Sequence, residues 1–262
     1  MTPYSTLRTK FCTLTVSLVA LFAIGCQEQK EARIIQLTDD LKVKAELIHS
    51  DDFSEGISNW KVEQMPKGSV YHKDGKLEVN DWRGCTVWFK EKLEGPIMIE
   101  YDAVVLQDTT KSEEEDGIYD RASDLNCFWM ATDSENPDNL FANSESRSGK
   151  FTNYNSLSLY YTGMGGHFNT KTRFRRYSGN GEKPLLPEHD LSDPKYLITP
   201  NQLKQIRLVA YDGVIQYYRN GELIYDYRDP NPYTEGHFGL RTVHNHMTLD
   251  NFKVYRLTKV DE

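Results

Sequence analysis

The chain has 262 residues, 12% of them aromatic, and a formal net charge of −8. That negative balance argues against nucleic acid as a partner, because gripping phosphates takes a cationic surface. The length suits one large β-rich domain as well as two small ones.

Residues 1–10 carry Arg8 and Lys10 and no acid, and an apolar stretch runs from Phe11 to Ile24. A basic start, a short apolar run and the small residues before position 26 form the layout of a secretory signal over residues 1–25. The run contains Thr13, Thr15 and Ser17 and is too short to span about 30 Å of hydrocarbon. Ala23-Ile24-Gly25-Cys26 resembles the lipobox of bacterial lipoproteins, which implies cleavage before Cys26 and lipidation of its thiol. Two or more acyl chains anchor a protein stably, so membrane contact is expected through the lipid alone. Gln27 rather than Asp after the cysteine implies the outer membrane, periplasmic or surface-facing. Loss of residues 1–25 removes two cations and takes the formal charge to −10.

Residues 26–49 are expected to be a tether and N-terminal segment, with Arg33 to Leu37 open to strand or helix. A single β-sandwich is expected over residues 50–258. Strands are predicted at 76–79, 85–90, 97–105, 126–132, 157–161, 168–177, 205–211, 214–219, 222–227, 237–242 and 249–257. Each is rich in β-branched and aromatic residues and bounded by turn signals. Asp212-Gly213 and Asn220-Gly221 predict two successive hairpins, since both dipeptides tolerate positive φ. Residues 107–120 are charged and poor in apolar groups, so they read as a mobile loop. Residues 179–203 hold four of the ten prolines and no strand pattern; they predict a long functional loop with a helical turn at Pro200 to Gln205. Cys85 and Cys127 sit in apolar runs of an exported chain, which leaves a disulfide or two buried thiols open. So many short antiparallel strands imply an all-β sandwich or jelly roll.

The order of motifs carries a resemblance. Asp51-Asp52-Phe53-Ser54, Trp60, Asp74-Gly75-Lys76-Leu77, Thr86-Val87-Trp88-Phe89 and Ile99-Glu100-Tyr101-Asp102 resemble the first half of the concanavalin A-like lectin/glucanase superfamily. Ile206-Arg207-Leu208, Phe238-Gly239-Leu240-Arg241 and Asp250-Asn251-Phe252-Lys253-Val254-Tyr255 resemble its second half. Asp124 to Met130, Gly165 to Thr170 with Arg173 to Tyr177, and Leu185 to Asp190 resemble an uncharacterised family of exported bacterial lipoproteins for polysaccharide utilisation, a domain of unknown function. The resemblance implies a jelly roll and a glycan partner. It assigns no residue a role, because the superfamily holds glucanases, lyases and lectins.

Strand geometry singles out one segment. If His167 to Tyr177 is extended, alternate residues share a face. His167, Asn169, Lys171, Arg173, Arg175 and Tyr177 then form one row, opposite Phe168 and Phe174. Unpaired cations are too costly to bury, so the row faces water, a charged partner or a ligand. A solvated edge strand is the plain alternative; a groove for an anionic glycan is the functional one.

Cleavage of uronate polysaccharides by β-elimination needs a group that neutralises the C6 carboxylate, a base for the C5 proton and an acid for the leaving oxygen. Arg173 or Arg175 with Asn169 suits the first role, because guanidinium binds carboxylate bidentately. His167 suits the base, and Tyr160 or Tyr177 the acid, Tyr160 being placed with Ser156 and Ser158 on a polar strand face. Lys171, Asn126, Trp129, His189, Arg241 and His246 are further substrate-binding candidates. Asn126 and Trp129 point to opposite faces of one strand, so only one can face a groove. His244 and His246 could bind metal or exchange protons, and Glu188-His189-Asp190 could cap a groove. No zinc-type spacing exists and no cofactor is expected, although the fold leaves room for a structural calcium ion. The expected function is a lyase on an acidic polysaccharide. A non-catalytic glycan-binding lipoprotein is the alternative. So is a glycoside hydrolase, which needs paired carboxylates where Glu100 and Asp102 alternate but Val104 follows.

Overall fold

The structure, a computed structural model, describes residue 1, residues 32–107 and residues 122–260. The predicted signal, the Cys26 lipidation site and nearly all of the charged 107–120 loop lie outside the described residues. Seventeen strands follow in chain order. The first eight are β1 (Ala32–Thr38), β2 (Leu41–Asp51), β3 (Trp60–Gln64), β4 (Ser69–Lys73), β5 (Lys76–Asp81), β6 (Cys85–Phe89), β7 (Leu93–Glu94) and β8 (Ile97–Leu106). Then come β9 (Leu125–Asp133), β10 (Leu157–Gly165), β11 (Lys171–Ser178), β12 (Asp190–Leu191), β13 (Lys204–Tyr211) and β14 (Val214–Arg219). The last three are β15 (Glu222–Arg228), β16 (Glu235–Thr242) and β17 (Asn245–Lys259).

They pair into two antiparallel sheets, as the alternating pattern predicts. The nine-stranded sheet has the order β1-β2-β17-β8-β13-β14-β15, with β5 beside β17 and β4 beside β5. The eight-stranded sheet has the order β12-β11-β10-β9-β16-β6-β3, with β7 on β16. Inward residues of both sheets, among them Trp60, Ile99, Trp129, Phe174, Leu208 and Phe238, form the main core. The two turns at Asp212-Gly213 and Asn220-Gly221 join β13, β14 and β15 as expected.

Several expectations are corrected. Residues 32–49 are not a segment ahead of the sandwich: β1 and β2 are full members of the nine-stranded sheet, β2 pairing with β17 from Phe252↔Asp51 to Lys259↔Val43. Gln216 Nε2 donates to Leu37 O at 3.0 Å and Arg33 reaches Glu100. The sheet therefore curls over a second small core of Val43, Ala45, Met98 and Tyr255. The sandwich begins near Ala32 instead of at residue 50. The pattern of Arg33 to Leu37 is ambiguous because apolar Ile34 lies on the exposed face of β1, next to Ile35 on the covered one. Residues 200–203 form a turn and Lys204 opens a strand; short 3-10 turns occur instead at Pro187–His189 and Pro194–Tyr196. Cys85 and Cys127 are free, buried thiols in the core.

The outer face of the eight-stranded sheet is itself partly covered. Residues 140–154, three short helical turns, lay Leu140 and Tyr154 over Trp88, Phe128, Leu157 and Leu159. This wall is tied down by a buried ion cluster. Arg147, 1% exposed, donates to Glu63 Oε1 at 2.7 Å, to Asp133 Oδ2 at 3.0 Å and to Leu140 O at 2.6 Å. A buried arginine survives there because two carboxylates and a carbonyl replace its water.

Candidate functional site

Beside that wall, the uncovered part of the same face forms a cleft of about 450 Å³. The predicted row lies along it from Lys171 onward. On β11, Thr172 and Phe174 are buried toward the core, while Lys171, Arg173, Arg175 and Tyr177 line the cleft. The N-terminal part of the row is not extended. His167, Phe168 and Asn169 are all left-handed (φ 52, 61 and 58), a conformation costing roughly 1–2 kcal/mol per residue. Hydrogen bonds hold this turn. The Asn169 amide donates to Ile198 O at 2.8 Å and accepts from Ile198 N at 2.8 Å, and Thr170 Oγ1 donates to His167 O at 2.7 Å. Asn169 is thereby occupied with the backbone of the 179–203 loop and does not line the cleft. His167 still does, at its rim.

Cross-strand register sets out the floor. Arg173 pairs with Gly163, Gly163 with Asn126 and Asn126 with Arg241, so these four form one row across β11, β10, β9 and β16. Neighbouring strands lie about 4.8 Å apart. Arg175, Tyr161 and Phe128 make the next row. Gly163 lets the two rows meet: a Cβ there would fall 2.0 Å from the Tyr161 hydroxyl. The phenol therefore lies over the glycine, with its oxygen at the middle of the first row. Burial drives the Tyr161 pKa up, and burial also raises that of Tyr177, opposed by Arg175 and Arg241.

The cations of the cleft fall into two groups. Arg173 is bidentate to Asp190, Nε to Oδ1 at 2.9 Å and Nη2 to Oδ2 at 3.2 Å, and Lys171 Nζ lies 3.9 Å from the same carboxylate. The hydrogen bond from Arg173 holds the Asp190 carboxyl below the usual range. Arg175, Lys183 and Arg241 form the other group. Arg175 donates to the Lys183 carbonyl, and Lys183 Nζ donates to Asn155 Oδ1 at 2.7 Å over the Phe151 ring. Arg241 Nη1 donates to Thr86 Oγ1 at 3.0 Å and Gly149 O at 3.1 Å. Among the described residues none of these three has a carboxylate in ion-pair reach. Burial lowers the Lys183 pKa, and the charges of Arg241 and Arg175 lower it further. Two buried polar atoms of the floor also lack partners among the described residues, Arg241 Nη2 and Asn126 Oδ1. Asp124 is the one carboxylate among the described lining residues.

Four other candidates are elsewhere. Tyr160 is buried in the core, donating to Asp229 Oδ2 at 2.7 Å and accepting from Tyr233 N at 3.1 Å. The expected polar face of β10 faces inward, because wall residues cover the opposite face and make Leu157 and Leu159 apolar. Trp129 is likewise in the core against Tyr160 and Phe174, so Asn126 is the member of its strand that reaches the cleft. His189 is packed edge-on against Phe174 and Tyr225. His246 belongs to the other sheet, 2.7 Å from Glu78 Oε1. Among the described residues no group of acids, histidines and cysteines is set to hold a metal ion. Sequence reasoning missed Tyr161, Lys183 and Gly163; the one available signal was the glycine two residues beyond an alternating tyrosine.

The two antiparallel sheets and the cleft on one of them define a concanavalin A-like sandwich, and solved structures share it. A Bacillus subtilis protein of unknown function with a galectin-like fold is 15% identical, covering 82% of this chain and 97% of its own, with a TM-score of 0.61. The endo-β-1,3-glucanase of Pyrococcus furiosus is 11% identical over 87% and 99%, at 0.51. The carbohydrate binding module CBM66 of Bacillus subtilis is 12% identical over 76% and 96%, at 0.50. Residues 79–252 match the family described as a domain of unknown function (DUF6250), and the chain belongs to that family. No curated protein matches.

Proposed function

We propose that this is an exported, lipid-anchored protein of the bacterial outer membrane that holds an acidic polysaccharide in the cleft and cleaves it by β-elimination. The observation that carries the reading is the group Arg175, Lys183 and Arg241. Three cations without ion-pair partners among the described residues, gathered in one cleft of a chain with net charge −8, fit an anionic ligand. The choice of a glycan is supported by the fold, which a carbohydrate binding module and a glucanase also use. The lipobox-like Ala23 to Cys26 supports the anchor.

In this scheme the cations neutralise the C6 carboxylate of a uronate and make its C5 proton acidic enough to remove. His167 takes that proton as the base. The electron pair forms the C4–C5 double bond, the C4–oxygen bond breaks, and Tyr161, in the role expected of Tyr160, protonates the departing oxygen. Tyr161 is suited to start protonated, since burial holds its proton on. A second reading, capture without cleavage, is favoured by the exposed position of His167 at the rim. A hydrolase is poorly supported by a cleft with Asp124 as its one described carboxylate. Incubation of the purified protein with polyuronates separates the three. Absorbance growing at about 235 nm from the unsaturated uronate supports the lyase. New reducing ends without absorbance would replace it with the hydrolase, and binding without product with the capture protein.

A further inference from the structure

Resting on the reading of the cleft as an anionic-glycan site, we propose that its two ends differ in ligand. The Arg175–Lys183–Arg241 end takes a compact anionic group of the sugar, and the Lys171–Arg173 end takes an uncharged one. Arg173 and Lys171 share the Asp190 carboxylate, so that end carries much less net charge toward a ligand.

The other end is built differently. Arg241 is 2% exposed and keeps one terminal nitrogen without a partner. Its plane is fixed by Thr86, by Gly149 and by the rings of Phe151 and Tyr154, 5.2 and 4.9 Å away. Lys183 Nζ lies 4.4 Å from the Phe151 ring centre and 5.3 Å from that of Tyr177. A buried donor left unpaired and three like charges held together are costly arrangements. One anionic group relieves both at once. Apolar rings beside the charges lower the local dielectric and strengthen the attraction. A carboxylate and a sulfate ester share this chemistry.

Affinity is measured by calorimetry on the full mature chain, with uronate oligosaccharides, their carboxyl-reduced forms, and a sulfated neutral glycan with its desulfated form. Lys183→Met and Arg175→Met should each weaken binding of an anionic form at least tenfold and leave the neutral form unchanged. Arg173→Met should change the anionic preference less than threefold. Loss confined to the uronate pair names a carboxylate; loss confined to the sulfated pair names a sulfate ester. Circular dichroism confirms that each variant is folded, and Lys183→Gln serves as a second, milder variant at a half-buried position. Anionic binding that survives at Lys183 and Arg175 but falls at Arg173 overturns the polarity proposed here and leaves the cleft reading intact. Failure of the wild-type chain to bind any of the four glycans removes the cleft reading, and this proposal with it.

Discussion

Among the described residues, two hollows of nearly equal size, each about 450 Å³, lie one on each sheet. The hollow in the curl of the nine-stranded sheet holds Arg33, Glu100, Arg207 and Asp102. Its two arginines are matched, since Glu100 takes both Arg33 and Arg207, and Asp102 accepts from Asn251 Nδ2 at 2.9 Å. In the cleft of the eight-stranded sheet, Arg173 is matched by Asp190, while among the described residues Arg175, Lys183 and Arg241 are not. A row of charged residues is therefore weak information about function. What distinguishes a ligand site from a structural network is whether the folded chain itself supplies the opposite charge.

The largest expected effect lies under the wall of the cleft. Arg147→Met strips Glu63 and Asp133 of their shared partner, and breaking such a buried cluster costs about 3–5 kcal/mol. Urea unfolding should show that loss; a change below about 1 kcal/mol would mean that water replaces the arginine. Next comes Tyr161→Phe, which removes the proton donor without moving the ring. Turnover measured by absorbance should fall about 10²–10⁴-fold with substrate affinity kept, and full activity would return the acid role to Tyr177. Asp190→Asn makes the matched end of the cleft resemble the unmatched one. Binding of polyanions should tighten several-fold and depend more steeply on salt; no change would show that Arg173 and Lys171 face away from the ligand.

A smaller effect concerns pH. Burial lowers the pKa of both His189 and His237 from 6.5. Below about 6.5 the unfolded chain therefore binds more protons than the folded one. Stability from this source is complete above that pH and declines as the pH falls toward the folded-state values. The melting temperature should drop between about pH 7 and pH 5, and by less in His189→Gln and His237→Gln. Smallest is Glu100→Gln on the opposite sheet. Partly exposed pairs contribute about 0–1 kcal/mol, so calorimetry should show little change in stability and none in polyanion binding.

Much of the sandwich was legible along the chain. The strand pattern from Lys76 to Leu257 and the turns at Gly213 and Gly221 depend on local alternation and on φ tolerance, which neighbouring residues specify. β1 and β2 were not legible, because their one covered face, with Ile35, Leu37, Val43 and Ala45, gains its partners only once the sheet curls onto β14. The site was half legible. The alternation Lys171, Arg173, Arg175, Tyr177 placed those side chains together, since strand period is a local property. His167 to Asn169 broke that period because Asn169 has a distant partner, Ile198, and the polarity of β10 points to Tyr160 over Tyr161 because Leu157 and Leu159, on the Tyr161 face, are covered by the wall.

Composition and alternation thus decided the fold class, the two-sheet arrangement and one cationic strand. Tertiary structure alone decided which cations meet a carboxylate, which tyrosine reaches the cleft and that Lys183 joins Arg241. Pairing of charge is a property of residues far apart in the chain, such as Arg173 with Asp190 and Arg147 with Glu63. Only a folded chain brings such partners within reach, because the attraction between them weakens with distance and is screened by water.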